Sequence, residues 1–334
     1  METPPGFIIL TPLLDDWVSL SRLIENISQT IEPGRGEIRI VVVDDGSTMA
    51  AEHCVLPALP QTGCIERIEV IRLALNLGHQ RAIAVGLSSI ALRPNLDHVI
   101  VMDSDGEDQP GDIPRLLDEA AAHPDHVIFA HRAQRSEGLL FKAGYHLYKA
   151  MFHVMTGREI SFGNFSLLPN SAVRRLVHMP ELWNSLPAAI IRSRLRYRAI
   201  DTARGVRYAG VSRMNLQSLI VHGLSAMAVY ADIMFVRVLV AAGTICAAAL
   251  AAMTVVVGIR LTSSLAIPGW ATTVFGNLLI ILLLALVIIV ATTFMVLASR
   301  TSRPFVPIVD AQIFVAERSV IAERRISELA GWPT

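Results

Sequence analysis

Lysine is almost missing from this chain. Of 29 basic residues only Lys142 and Lys149 are lysines, so nearly every cation is a guanidinium, whose planar fork of donors suits phosphate oxygens. A genome-wide codon bias would give the same count. Cysteine is scarce too: Cys54, Cys64 and Cys246 show no CxxC spacing, which excludes a thiolate cage or a disulfide framework and leaves small core residues in a reducing compartment. Neither GxGxxG nor GxxxxGK[ST] occurs, so a Rossmann dehydrogenase and a P-loop enzyme are both excluded. Basic and acidic residues balance at 29 each, and no nucleic-acid partner is expected. The opening "METPPGF" lacks a basic region followed by a long apolar one, so the N-terminal part is expected to stay in the cytoplasm.

Apolar residues are abundant. They make up 52% of 334 residues, and the mean hydropathy of +0.49 is too high for an ordinary soluble enzyme of this length. Val238 to Ile259 carries no charge, and after Arg260 the next charged residue is Arg300. About 20 apolar residues span a bilayer, so two spans are expected, near 236–258 and 274–298, with "AIPGW" (266–270) as the turn between them. Two buried helices of a soluble core are the other reading, and the uninterrupted length argues against it. Arg237 before the first span and Arg300 and Arg303 after the second put both ends on the cytoplasmic side, with Arg260 as a small counter-signal.

Residues 215–235 read as an amphipathic helix lying along the bilayer. "DAQIFVAERSVIAERRISEL" (310–329) reads as an amphipathic tail helix. The expected layout is a catalytic domain over 1–214, the juxtamembrane helix over 215–235, a membrane hairpin over 236–298 and a cytoplasmic tail over 299–334. Arg237 and Asp232 offer a pair between subunits, so a homo-oligomer is among the expected partners.

Before the spans, "GFIIL", "IRIVVV", "RIEVIRL", "HVIVM" and "HVIFA" read as strands. "DWVSLSRLIENISQTI", "GHQRAIAVGLSSIAL" and "IPRLLDEAAAH" carry apolar residues at helical spacing. Their alternation predicts an α/β fold with a mostly parallel sheet covered on both faces, whose ligands sit at the carboxyl ends of the strands. From about 131 to 232 the pattern loosens into basic, aromatic and short helical segments.

Two acidic clusters stand at strand ends. "VVVDDGST" (41–48) offers a carboxylate to hydroxyls or base N–H groups beside a turn that a ligand can approach, and it reads equally well as an ordinary Asp-Gly-Ser turn. "MDSDGEDQPGD" (102–112) brings Asp103, Asp105, Glu107, Asp108 and Asp112 together. Two unpaired carboxylates about 5 Å apart repel by roughly 3 kcal/mol at an effective dielectric near 20. A divalent cation offsets that cost. Asp103 and Asp105, two apart in an extended turn, can face one Mg²⁺ or Mn²⁺ and leave coordination sites for phosphate. Glu107 continues the alternation. Asp112 reads as helix-start charge favoured by the dipole, and Asp108 is open between that role and the site.

The order "VVVDDGST", "NLGHQRAIAVGL", "VMDSDGEDQP" and "RYAGVSRMNL", followed by paired spans, resembles family 2 glycosyltransferases of the GT-A fold. Within them it resembles the polyprenyl-phosphate type, such as dolichyl-phosphate mannose synthase and bactoprenol glucosyltransferase. That resemblance implies a nucleotide-sugar donor, a polyprenyl phosphate acceptor and a bacterial inner-membrane location. It implies that Asp44, with Pro12, meets the base or ribose, that Asn76 and Gly78 form the turn beside the nucleotide, and that Ser104 adjoins the donor. Asp103 and Asp105 match the DxD that holds Mg²⁺ or Mn²⁺, with Glu107 where the family often has a metal-contacting Gln. Arg207, Ser212 and Arg213 match a basic loop that closes on phosphates. Arg132, with Arg135 and Lys142 as weaker candidates, would meet the lipid phosphate.

A phosphate acceptor is already an anion and needs no general base. His79, His131 and His146 are therefore expected to bind or support. The family's opening "PxYNE" is "PLLDD" here, leaving Asp15 or Asp16 in place of Asn-Glu, and its "GDFRL" is "GNFSL", with Asn164 for Asp and Ser166 for Arg. A processive polysaccharide synthase, which usually carries QxxRW and more spans, and a catalytically silent nucleotide-sugar-binding membrane protein are the alternatives.

Overall fold

The computed structural model describes residues 6–32, 36–48, 63–93, 98–132, 150–157, 162–209, 216–262 and 269–324. They fall into two compact units, one of residues 1–146, 160–229 and 305–334 and one of residues 147–159 and 230–304.

The first unit is built on Val- and Ile-rich runs that become strands: β1 (Phe7–Leu13), β2 (Ile38–Asp44), β3 (Ile65–Leu73), β4 (His98–Val101) and β5 (Val127–Arg132). Between them lie α1 (Trp17–Thr30), α2 (His79–Ala91) and α3 (Ile113–Ala122). These five strands run in one direction. Period-two alternation splits each strand between two cores. Ile8 and Leu10 of β1 face α2, whereas Phe7 and Ile9 face α1 and α3.

The loosely patterned region adds β6 (Ser166–Leu168), α5 (Asn170–Leu176), α6 (Leu186–Arg192) and β7 (Tyr197–Thr202); α4, over 150–156, belongs to the second unit. The strand order is β7-β5-β6-β4-β1-β2-β3, with an eighth strand, β8 (Val315–Glu323), beyond β3. β6 runs antiparallel between β4 and β5, and β8 runs antiparallel to β3. The sequence signal for β6 and β7 was weak because one has three residues and the other has a largely exposed face.

The tail does not form the expected helix. A short turn of helix, α10 (Pro307–Asp310), leads through a 3₁₀ turn into β8. Helical spacing and alternation compete in "FVAERSVIAE", and the open edge of β3 decides, because its unpaired N–H and C=O groups gain partners there. Val315 packs on one core and Ile321 and Ala322 on the other. Trp183 lies 4.0 Å from Phe305 and 5.6 Å from Phe314, ring to ring, fastening the returning chain. The returning segment from Phe305 thus belongs to the first compact unit.

In the second unit, α8 (Ala231–Thr262) and α9 (Trp270–Thr301) are long and apolar enough to cross a membrane. They extend past both expected spans. Their few buried positions recur every seven residues, at Ala242, Ala249 and Val256 on α8 and at Ala285 and Thr292 on α9, and small side chains there let two helices approach closely. The outer faces remain apolar and exposed. The expected continuous helix over 215–235 is divided: α7 (Leu216–Ala228) stops before α8 begins at Ala231. Arg237 donates to the carbonyls of His153 and Val154 at the end of α4, so its guanidinium has an intrachain role.

Candidate active site

The chain crosses β1, β2 and β3 in one direction and then returns to place β4 on the other side of β1. Loops leaving β1 and β4 therefore diverge at a topological switch point, where open α/β sheets bind ligands. Three acidic pairs or turns converge on this edge.

The β4 turn behaves as the two-residue alternation predicts. Asp103, Asp105 and Glu107 are half-buried, while Ser104, Gly106 and Asp108 are buried. Ser104 donates to the Pro12 carbonyl at 3.4 Å, tying the turn to β1. Asp108, 2% exposed, accepts from the Asp103 N–H at 2.9 Å, so it shapes the turn rather than starting the helix. Asp112 instead pairs with Arg115 at 2.9 Å. Burial, together with the neighbouring Asp103 charge, pushes the Asp105 carboxyl above its ordinary range; the Glu107 N–H and Arg207 act against this. Arg207 Nη1 stands 3.2 Å from Asp105 Oδ2, and Arg204 Nη2 stands 2.8 Å from Glu107 Oε1.

The β2 loop divides its two carboxylates. Asp44 accepts from Ser47 N–H at 2.9 Å and lies 3.8 Å from Arg72 Nε, its register partner on β3. Asp45, which the sequence reading did not single out, accepts from Leu77 N–H at 2.7 Å and Gly78 N–H at 2.9 Å. It thereby holds the Asn76–Gly78 turn, and Gly78 has φ +93°, a conformation that favours glycine. Burial raises the Asp45 pKa against the effect of these two N–H groups. The "PLLDD" pair has two separate tasks. Asp15 accepts from Thr48 N–H at 2.8 Å, and Asp16 caps α1 through Ser19 N–H. An Asp at each of these places offered a signal, since Asp is favoured at N-caps and loop turns.

A polar chain with fixed direction reaches the acidic turn from α6. Leu186 N–H, which can only donate, meets Gln80 Oε1 at 2.8 Å; Gln80 Nε2 then donates to Asn164 Oδ1 at 2.8 Å. Asn164 therefore presents its NH₂ to His79 Nε2, 2.9 Å away. The same nitrogen lies 3.2 Å from Asp103 Oδ1. Partial burial opposes protonation of His79, but Asp103, Asp108 and Asp105 outweigh it and raise its pKa. His131 Nδ1 is 3.2 Å from Asp201, in a supporting position at the end of β5.

The geometry thus brings Pro12, Asp44, Asn76, Gly78, Asp103, Ser104, Asp105, Glu107 and Arg207 to one edge of the sheet. Arg135, Lys142, His146, Ser212 and Arg213 lie outside the described residues, as does the side chain of Arg132.

Two curated relatives are undecaprenyl-phosphate 4-deoxy-4-formamido-L-arabinose transferases. The protein from Photorhabdus laumondii is 27% identical over 223 residues, 64% of each chain, and that from Edwardsiella ictaluri is 26% identical over 214 residues, again 64% of each. The chain thus spans slightly less than two-thirds of their length. Among solved structures, glucosyl-3-phosphoglycerate synthase from Mycobacterium tuberculosis in complex with phosphoglyceric acid aligns with TM-score 0.49 and 16% identity over 69% of this chain and 80% of that one. The same enzyme with Mn²⁺, UDP-glucose and phosphoglyceric acid aligns with TM-score 0.48 and 14% identity over the same shares. The model described as Glycosyl transferase family 2 matches residues 8–179, which is just over half of the chain and takes in the whole acidic edge, and the chain belongs to that family.

Proposed function

We propose that this protein is an inverting glycosyltransferase that moves a sugar from a nucleotide-diphosphate sugar to a polyprenyl phosphate. The observation that carries the reading is the Asp103–Asp105 turn at the β1/β4 switch point with Arg207 against it. A carboxylate pair beside a guanidinium suits a cation-bridged diphosphate. The relatives' action on undecaprenyl phosphate supports the acceptor class.

A divalent cation fits the residues present. Burial and mutual repulsion raise the Asp105 pKa, so the pair gains from added positive charge. Among the described residues no group of three His, Cys, Asp or Glu side chains is placed to hold a metal ion, so the reading rests on two carboxylates. Asp103 and Asp105 would hold the ion, with open positions for diphosphate oxygens and water, as Mg²⁺ and Mn²⁺ prefer. When bound, it supplies charge for the departing nucleotide diphosphate.

The remaining tasks belong to the chain. Asp44 and Arg72 face the base or ribose, and Asn76 to Gly78 border the nucleotide. Arg207, Ser212 and Arg213 are assigned to phosphates, and Arg132, Arg135 and Lys142 to the acceptor phosphate. A cation held in place as Arg207 is by Asp105 stabilises developing charge without reorganising. The acceptor oxygen is already anionic, so His79 is not required as a base.

The topology of the sheet supports a two-span hairpin. β3 and β8 pair within one unit, although α8 and α9 lie between them in sequence. An even number of crossings returns the chain to the same side. Arg237, Arg300 and Arg303 at the flanks favour the cytoplasm for that side, and the relatives' undecaprenyl phosphate favours a bacterial inner membrane.

The test uses membranes containing the full chain, a panel of radiolabelled nucleotide sugars, undecaprenyl phosphate and Mn²⁺, followed by lipid extraction. One donor should label the lipid. No labelled lipid from any donor, with a working positive control, rejects the reading.

A further inference from the structure

The segment after β7 lies along the acidic turn as a strap. Gly205 N–H donates to Glu107 O at 2.9 Å, and Tyr208 N–H donates to Asp105 O at 2.8 Å. The approach is so close that a Cβ on Gly205 would stand 2.1 Å from Gly106 O, and one on Gly106 would meet the Tyr208 ring at 2.8 Å. α1 holds the far end: Arg22 donates to the Tyr208 carbonyl, and Asn26 Nδ2 bonds Tyr208 Oη at 2.8 Å. Two guanidiniums project from this strap. Arg207 reaches Asp105, and Arg204 reaches Glu107.

We infer that Glu107 is a positioning residue that acts through Arg204. The pair, with Tyr208 as latch, fixes the strap so that Arg207 stands over Asp105, where a diphosphate would arrive. Glu107 is thus not a ligand of the cation. Alternation alone made the three acids equivalent, but Asp105 and Glu107 face different partners. A salt bridge at 2.8 Å between groups on a sharp turn and a glycine-dependent strap restrains both segments. Each guanidinium so held loses less freedom when phosphate arrives, which is how preorganisation strengthens binding. This role rests on the donor site proposed above.

The experiment uses the full chain in detergent, with Mn²⁺ binding followed by electron paramagnetic resonance and inorganic pyrophosphate binding followed by calorimetry in the presence of Mn²⁺. Glu107→Arg and Arg204→Glu should each weaken pyrophosphate about tenfold. The double exchange, E107R with R204E, keeps the net charge and restores the pair in reverse, and should return affinity to within about threefold of the parent. Glu107→Gln should leave Mn²⁺ affinity within about threefold, whereas Asp105→Asn should lower it by more than tenfold. Tyr208→Phe, which removes only the bond to Asn26, should weaken pyrophosphate about threefold.

A double exchange as weak as the single ones, or a tenfold loss of Mn²⁺ affinity in Glu107→Gln, overturns the strap. Unchanged pyrophosphate affinity in Tyr208→Phe overturns the latch. Failure of the parent protein to bind Mn²⁺ overturns the donor site itself, and the strap's role with it.

Discussion

Replacing Asp45 by Ala tests how the nucleotide-side turn is held. The carboxylate is 4% exposed and accepts two N–H groups, from Leu77 at 2.7 Å and Gly78 at 2.9 Å. Hydrogen bonds to a charged group contribute about 1.5–3 kcal/mol each, or roughly 3–6 kcal/mol together. Part of this is offset, because burial raises the Asp45 pKa and makes its ionised form costly. A net loss of about 2–4 kcal/mol is expected, which speeds exchange of the turn amides by roughly 30- to 700-fold if the turn opens locally.

Hydrogen exchange followed by mass spectrometry on peptides covering 74–80 reads this directly, with β1 peptides as the internal control. The pH dependence has a definite sign. A raised carboxyl contributes stability that is fully present below the unfolded pKa and is lost as pH rises through the folded one. The gap between parent and variant should therefore widen in acid, opposite to the behaviour of a carboxylate held mainly by a salt bridge. Exchange at 74–80 within threefold of the parent, or a gap that narrows in acid, refutes the reasoning.

Three other outcomes follow from the same geometry. Because Asp105 and His79 both have raised pKa values, and because their protonated forms oppose a cation, Mn²⁺ affinity should fall on acidification from a higher pH than the ordinary carboxylate range near 4; a flat profile between about pH 5 and 7 in a binding titration contradicts this. Asn164→Asp places a second carboxylate beside His79 Nε2 while still accepting from Gln80, so ring-nitrogen NMR should show the His79 pKa rising further, and a fall would refute the directed chain. Ending the chain after Phe314 removes the β8 ladder and the cover provided by Ile321 and Ala322; at about 0.5–1.5 kcal/mol per lost bond the first unit should lose at least about 3 kcal/mol, or roughly 6–12 °C in melting temperature. An unchanged melting temperature would mean that β8 adds nothing to the sheet.

The sequence by itself determined most of the first unit and both long helices. Strands β1 to β5 and helices α1 to α3 are short segments whose period matches one element type, and local periodicity does not depend on distant residues. The same holds for Asp103 and Asp105, whose spacing of two makes both face outward wherever the turn is placed. The uncharged stretches that became α8 and α9 were legible because length and apolarity suffice.

Tertiary structure decided everything that depended on a partner far away in the chain. "FVAERSVIAE" fits two periods, and only the free edge of β3, some 250 residues earlier, makes it a strand. Asp45 and Asp108 look like their acidic neighbours in sequence, but each is buried and holds a turn through backbone N–H, whereas Asp103 and Asp105 stay half-buried. Glu107 shares the alternation of Asp103 and Asp105, but Arg204, brought over by a glycine-bearing segment, stands 2.8 Å from it. A carboxylate's neighbours set what it does, and for these residues the neighbours are supplied by the fold.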